Sequence, residues 1–411
     1  MKYGLIGERL GHSFSKEIHE KIASYTYEIC PIAKDKLGNF FKSPEFVGIN
    51  VTIPYKESVI PYLDTVSENA QKIGAVNTVK NENGTLCGYN TDYEGMRALI
   101  NHAKISPEGK KALILGTGGT SKTAKAVLKD MGASEIVVVG RSDGADISYS
   151  EMYENHTDAQ IIINTTPVGM YPKNGETIID ISKFPALKGV VDAIYNPLRT
   201  SLVLEAKKRG IRSEGGLYML VSQAIYASKI FTGSQISDSE CEKIFKQILK
   251  EKENIVLIGM PSSGKTTTAM YLSSITGRSV VDTDDEIIKK IGMPISEYFA
   301  LYGEEKFREV ESEVIREVSA QNGIIIATGG GAVLKNENVK ALKQNGRLYF
   351  LNRSVELLTP TSDRPTASDF EALRQLYFKR HEIYKSVADK IIPANGTIPQ
   401  IAEIIKGEFF Q

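Results

Sequence analysis

The sequence predicts an α/β protein built from two tandem nucleotide-binding units, the first of them two-lobed. Three observations carry this reading. Short apolar, β-branched runs alternate with helix-length segments, which is the pattern of parallel sheets covered on both faces. Two glycine-rich loops, near residues 116 and 259, each follow such a run and open a helical stretch, whereas a single α/β domain seldom needs two. The length of 411 residues leaves room for two to three domains at roughly 150 residues each.

Composition narrows the classes further. The chain is 41% hydrophobic, enough for full-sized cores, and its 50 Lys plus Arg balance 50 Asp plus Glu. A net charge of zero argues against a nucleic-acid or anionic-membrane binder. No apolar run reaches the length of a membrane helix, and the first twenty residues lack a signal peptide's basic flank and apolar core. Cys30, Cys87 and Cys241 are odd in number and far apart, which argues against a disulfide framework or a structural zinc site. The expectation is a soluble cytoplasmic enzyme that uses small molecules.

The elements follow in order. Residues 2–6 (KYGLI), 46–53 (FVGINVTI) and 75–80 (AVNTVK) read as strands of a first lobe. A second series, KALILG from 111, EIVVVG from 135, AQIIINTT from 159 and GVVDAIY from 189, is separated by helical segments such as 121–131 and 201–209. This predicts a parallel sheet wound on both faces, and a Rossmann-like lobe over 107–216. The first lobe, residues 1–106, is then completed by about 217–246, where LYMLVSQAIYASKIF reads as a strongly apolar helix. The charged stretch 247–253 reads as a helix end plus linker. Residues 254–411 form the second unit, opening on the strand 254–258.

The first loop is Gly116-Thr117-Gly118-Gly119, with Thr120 and Ser121 where a third glycine would stand. Glycines there allow a tight turn and close approach of a pyrophosphate to a helix N-terminus. The next strand ends in Arg141-Ser142 rather than in the acidic residue that would hold a ribose hydroxyl. A guanidinium and a hydroxyl suit a 2′-phosphate, so NADP is expected rather than NAD. Four polar islands interrupt the apolar first lobe: 12–15 (HSFS), 50–56 (NVTIPYK), 74–78 (GAVNT) and 88–92 (GYNTD). Hydroxyls, amides, an amine and a carboxylate at strand ends suit a small polyhydroxylated acid.

These islands, with INTTPVGM (163–170) and EGGLYMLVSQA (214–224), resemble shikimate dehydrogenase across most of the first half. The resemblance implies NADP-dependent interconversion of 3-dehydroshikimate and shikimate. It makes Lys56 and Asp92 the catalytic pair and assigns substrate binding to Ser13, Ser15, Thr52, Asn77, Thr91 and Gln223, with Tyr195 lining the site. It assigns the cofactor to Gly116, Gly118, Gly119, Arg141, Ser142, Thr166 and Gly216. A hydride delivered to a ketone leaves a developing alkoxide. Lys56 can protonate it, and Asp92 can orient that ammonium. Lys16 stands where the family commonly has proline and Tyr218 where a small residue is common, so quinate is also open as a substrate.

The second loop, Gly259-Met260-Pro261-Ser262-Ser263-Gly264-Lys265-Thr266, is a complete phosphate-binding match between a strand and a helix. Gly259, Ser262, Ser263, Gly264, Lys265, Thr266 and Thr267 are expected on ATP, the backbone amides cradling phosphates, Lys265 reaching the transferring end and the Thr266 hydroxyl on Mg²⁺. Residues 280–284 (VVDTD) read as one short strand ending in two carboxylates on the same side. GEEKFREVE (303–311) and TGGGA (328–332) follow. The set resembles shikimate kinase over nearly the whole second half. By that resemblance Asp284, Arg308, Gly329, Gly330, Gly331 and Arg380 bind shikimate, Asp282 lies near Mg²⁺, and Arg364 is the lid arginine over the phosphates. The stretch before Arg364 (LLTPTSD) carries no further basic residue and Thr366 replaces a usual leucine, so a slower or looser kinase is expected. Together the halves imply a bifunctional enzyme of consecutive reactions. The competing expectations are a quinate/shikimate dehydrogenase fused to another small-molecule kinase, or a metabolite-sensing regulator without turnover.

Overall fold

The computed structural model describes residues 1–8, 10, 13–359 and 369–410. It divides into two compact units, Met1–Ile248 and Leu249–Gln411. In the first unit the strands are β1 (Tyr3–Gly7), β2 (Tyr27–Pro31), β3 (Gly48–Val51), β4 (Thr65–Val66), β5 (Thr78–Glu82) and β6 (Thr85–Tyr89) of one lobe. The other lobe has β7 (Lys111–Leu115), β8 (Glu135–Val139), β9 (Ile161–Asn164), β10 (Gly189–Asp192) and β11 (Arg212–Glu214).

The first lobe is a six-stranded sheet of order β2-β1-β3-β5-β6-β4. It is mixed, which corrects the expectation of parallel pairing throughout this half. β1 runs parallel to β2 and β3, but β5 runs antiparallel to β3 and β6. The cause is local. Asn83 and Gly84 both have positive φ, 54° and 95°, the conformation of a two-residue hairpin turn, and they fold β5 directly back as β6. The second lobe, in contrast, is parallel throughout, in the order β11-β10-β9-β7-β8. Consecutive Ile161, Ile162 and Ile163 are all buried, as a strand with helices on both faces demands.

The chain leaves the first lobe through the helix Thr91–His102 and returns in the helix Leu217–Thr232, which packs on it and on the helix Ser15–Ile22. The segment expected as a linker is instead helical up to Lys252, within the helix Asp238–Lys252. Cys241, Ile244, Phe245 and Ile248 are buried at helical spacing. That apolar face sustains the helix through a stretch whose charges alone suggest a loop.

In the second unit β12 (Asn254–Ile258), β13 (Val280–Asp282), β14 (Ile325–Ala327), β15 (Gly346–Asn352) and β16 (Lys390–Pro393) form a parallel sheet of order β13-β14-β12-β15-β16. Ile255 and Leu257 join the core on one face of β12, and Val256 and Ile258 the core on the other. Among the described residues no helix is long and apolar enough to cross a membrane.

One buried group ties fold stability to pH. His19 is fully buried, its ring stacked on Tyr27 with centroids 4.0 Å apart and its Nδ1 2.7 Å from the Tyr25 hydroxyl. Burial lowers its pKa from 6.5 to about 3. The unfolded chain therefore takes up the proton first, so this contribution is intact above about 6.5 and is lost as pH falls toward 3. Near tenfold loss of the folding equilibrium per pH unit is expected from this group inside that window. In urea unfolding of the first unit at pH 7 and pH 5, His19→Gln, although weaker at pH 7, should lose less on acidification than the parent.

Candidate active sites

In the first unit the polar islands converge because each lies at a strand end or the start of a helix. Lys56 follows β3, and its own carbonyl accepts from Val76 N at 2.8 Å. Asp92 lies in the first turn of the helix Thr91–His102, capped by Asn90, whose side chain accepts from Tyr93 N. The two meet with Lys56 Nζ 2.5 Å from Asp92 Oδ2, both side chains largely shielded from water. Beside them Asn77 Oδ1 accepts from Thr91 N at 2.7 Å, Asn77 Nδ2 donates to Thr91 Oγ1 at 3.1 Å, and Gln223 Oε1 lies 3.5 Å from Thr91 Oγ1. Ser13 Oγ donates to Ser15 Oγ at 2.9 Å. Tyr195 packs its ring on Phe14 at 5.3 Å, and burial pushes its hydroxyl pKa up. Ser13, Ser15, Thr52, Lys56, Asn77, Asp92, Tyr195 and Gln223 all line one cavity of about 480 Å³, while Thr91 is buried behind it.

Sequence reasoning passes over the group that braces this wall. Asn50 Nδ2 donates to Asn77 O and Thr78 Oγ1, and its Oδ1 accepts from the buried Tyr27 hydroxyl at 2.7 Å. Asn50 belongs to the second polar island, but no local signal there pairs it with Tyr27, which arrives from another strand of the sheet.

A second cavity, about 660 Å³, shares Ile53, Lys56 and Thr120 with the first. Gly116, Gly118, Gly119, Arg141, Ser142 and Thr166 line it. Gly116 turns at φ 106°, and a Cβ on Gly118 or Gly119 would meet no atom within 4 Å. The face toward the helix Gly119–Asp130 is thus open to a pyrophosphate. Ser142 Oγ lies 3.0 Å from Thr117 Oγ1, and the Arg141 guanidinium lies 5.7 Å from the centre of the Tyr149 ring. Tyr149, unnoticed in the sequence, thus presents the cation to this cavity. The donor set fits a dinucleotide carrying a 2′-phosphate. Gly216 lies elsewhere: it lines the 480 Å³ cavity, packed against the Ala193 carbonyl. Tyr218 stacks on His102 at 3.9 Å and Lys16 pairs with Glu20. Neither is among the residues that line that cavity.

In the second unit the loop Gly259–Gly264 is held by three positive φ values, at Gly259, Ser262 and Gly264. Lys265 Nζ donates to the Gly259 and Met260 carbonyls at 3.0 and 2.9 Å. Thr266 Oγ1 donates to Asp282 Oδ2 at 2.7 Å, so a hydroxyl and a carboxylate that suit Mg²⁺ stand together. Ser263 is buried and Thr267 exposed on the first turn of the helix.

Asp282 and Asp284 do not alternate on one strand. β13 ends at Asp282, whose Oδ1 accepts from Asp284 N at 3.0 Å and caps the helix Thr283–Ile291. An acidic cap before an acidic first turn suits the positive end of that helix, and this outweighs strand extension. Asp284 still reaches the site, within a 460 Å³ cavity shared with Arg308, Gly329, Gly330, Gly331 and Arg380.

Glu311, unassigned from sequence, holds Arg308 Nη1 at 2.7 Å, with Glu304 on the other nitrogens. Burial raises the Glu311 pKa and Arg308 opposes that shift. Arg380 Nη1 and the Tyr384 hydroxyl both donate to Gly330 O, and the buried Arg380 Nε has no partner among the described residues. A Cβ on Gly331 would collide with Arg308 Nη1, and one on Gly329 would lie 2.5 Å from Asp284 Oδ1. The bare backbone therefore lets both charged groups close on the cavity. Arg364 and His12 lie outside the described residues.

These two sites define the molecule as a dinucleotide-dependent oxidoreductase joined to a P-loop phosphotransferase. The family model of the shikimate dehydrogenase substrate binding domain matches residues 5–79, and that of shikimate kinase matches residues 261–407. The shikimate dehydrogenase (NADP(+)) of Clostridium perfringens strain SM101 is 37% identical over 265 residues, covering 60% of this chain and 97% of that protein. Among solved structures, a chorismate mutase/shikimate 5-dehydrogenase fusion from Clostridium acetobutylicum is 38% identical at a TM-score of 0.56, covering 60% and 96% of the two chains. The shikimate 5-dehydrogenase of Thermus thermophilus, solved with NADP(H) and shikimate, is 30% identical at a TM-score of 0.54, covering 60% and 99%. The chain belongs to the shikimate dehydrogenase family, and a shikimate kinase domain follows the dehydrogenase.

Two outcomes test the geometry. Arg141→Ala should raise the KM for NADPH about 10- to 100-fold, the worth of a charge-assisted phosphate contact, with little change for NADH. Equal losses for both would remove Arg141 from the cofactor. Gly331→Ala should displace Arg308 and raise the shikimate KM of the kinase about tenfold or more, with MgATP affinity unchanged in direct titration.

Proposed function

We propose that the first unit reduces 3-dehydroshikimate to shikimate with NADPH and that the second phosphorylates shikimate at its 3-hydroxyl with ATP. The observation that carries the reading is the Lys56–Asp92 pair, 2.5 Å apart, which lines the substrate-sized cavity, with Lys56 also lining the dinucleotide cavity. NADPH, when bound, supplies the hydride. Lys56 then holds the proton that the nascent alkoxide takes, and Asp92 keeps the ammonium aimed and charged. Thr91 and Asn77 fix the floor through their mutual bonds, and Ser13, Ser15 and Gln223 offer hydroxyl and amide groups to the ring substituents and the carboxylate.

In the second unit, Asp284 accepts the hydrogen bond of the acceptor hydroxyl and orients it. Arg308 and Arg380 grip the carboxylate, each already braced, by Glu311 and by the Gly330 carbonyl. Thr266 and Asp282 are the residues that would hold Mg²⁺, which neutralises phosphate charge. Lys265 and the loop amides bind the transferring end.

A coupled assay of the pure chain with 3-dehydroshikimate, NADPH and MgATP should yield shikimate 3-phosphate. Lys56→Ala should lower ketone reduction about 10²- to 10⁴-fold, the usual worth of a general acid, while shikimate phosphorylation persists. Lys265→Ala should do the reverse. Loss of both activities in either variant, with both proteins folded, would overturn the assignment of one reaction to each unit.

A further inference from the structure

We propose that Arg353 is a nucleotide-phosphate ligand of the kinase unit, acting from the flank of the P-loop opposite the acceptor site. The proposal rests on the kinase reading above. β15 pairs with β12 with Ile258 opposite Phe350, so the residues beyond β15 emerge beside the loop that follows β12. The Arg353 guanidinium reaches that loop: its Nη1 is 3.9 Å from the position a Cβ on Gly264 would occupy. Gly264 is the residue before the helix Lys265–Thr276, in left-handed conformation at φ 91°, and the amides beyond it are those that cradle phosphate.

The arm is held in place rather than loose. Arg353 Nε donates to Leu357 O at 3.2 Å. The next residue is tied to the loop before the last helix, with Ser354 N donating to Asn395 Oδ1 at 2.9 Å and Asn395 Nδ2 to Ser354 Oγ at 2.8 Å. Among the described residues these bonds use the arginine's inner nitrogen and leave both outer nitrogens for a ligand. Among the described residues no carboxylate pairs with it, whereas Arg308 is bound by Glu304 and Glu311 and Arg347 by Glu253. A partly shielded guanidinium with no counter-charge beside a phosphate loop is suited to bidentate contact with phosphate oxygens.

Strand order decides which ligand it serves. The acceptor groups Asp284, Arg308 and Gly329 lie beyond β13 and β14, on one side of β12, and Arg353 lies beyond β15, on the other. It therefore addresses the nucleotide and not the acceptor. It also supplies charge that the stretch 354–363, with no basic residue, does not.

Isothermal titration of the full chain with MgADP reads this directly. Arg353→Ala should bind MgADP about 10- to 100-fold more weakly, Arg353→Lys should recover part of the loss, and the shikimate KM and the dehydrogenase rate should stay unchanged. Should the alanine variant fail to fold, Arg353→Gln carries the same test. Unchanged MgADP affinity in a folded variant, beside a parent that binds, overturns the role of Arg353 alone. A parent chain that binds no MgADP overturns the kinase reading itself.

Discussion

The Lys56–Asp92 pair places an ammonium and a carboxylate 2.5 Å apart where little water reaches either. Groups so placed are costly unless every donor and acceptor around them is matched. The surrounding wall is the consequence. Asn77 commits its amide to Thr91, Asn50 commits its own to Asn77 and Thr78, and Tyr27 closes the chain from β2. The cavity-facing Asn77 is thus held by a chain of buried polar groups that reaches back to β2. The groups that face this cavity are already oriented, so little ordering would remain to oppose a ligand.

The second unit answers the same constraint with different chemistry. Its ligand-facing charges are arginines, and each is held by a group behind it: Arg308 by a buried glutamate, Arg380 by a backbone carbonyl that Tyr384 also contacts. Glycines do the complementary work. At Gly331 the absent Cβ is what lets Arg308 lie against the strand-end loop, so a missing atom shapes this side of the cavity as much as the guanidinium does.

How much of this is legible in the sequence depends on range. The parallel strands of the second lobe and the kinase unit announce themselves as continuous apolar runs, because burial on both faces leaves no alternation to misread. The phosphate loops are legible because backbone geometry restricts them to glycine at fixed spacing. The mixed first sheet is not, although Asn83-Gly84 signals its hairpin, since an apolar run does not state its direction. The Asp282 cap passes for strand because an aspartate two residues before another fits both a strand end and a helix start. Asn50, Tyr149 and Glu311 act through partners distant in sequence or through burial, and no local pattern reports either.

The order of the two reactions gives the shared chain a thermodynamic consequence that needs no contact between active sites. Ketone reduction by a nicotinamide is reversible, and the cavity that accepts 3-dehydroshikimate must release shikimate. Phosphoryl transfer from ATP removes that product and adds charge to it. One polypeptide fixes the two activities at equal numbers, so the pull of the second step on the first holds at any level of expression. For that pull to operate the two units need only bind the same cyclohexene acid, because the 3-hydroxyl that ketone reduction forms is the one that phosphoryl transfer then consumes.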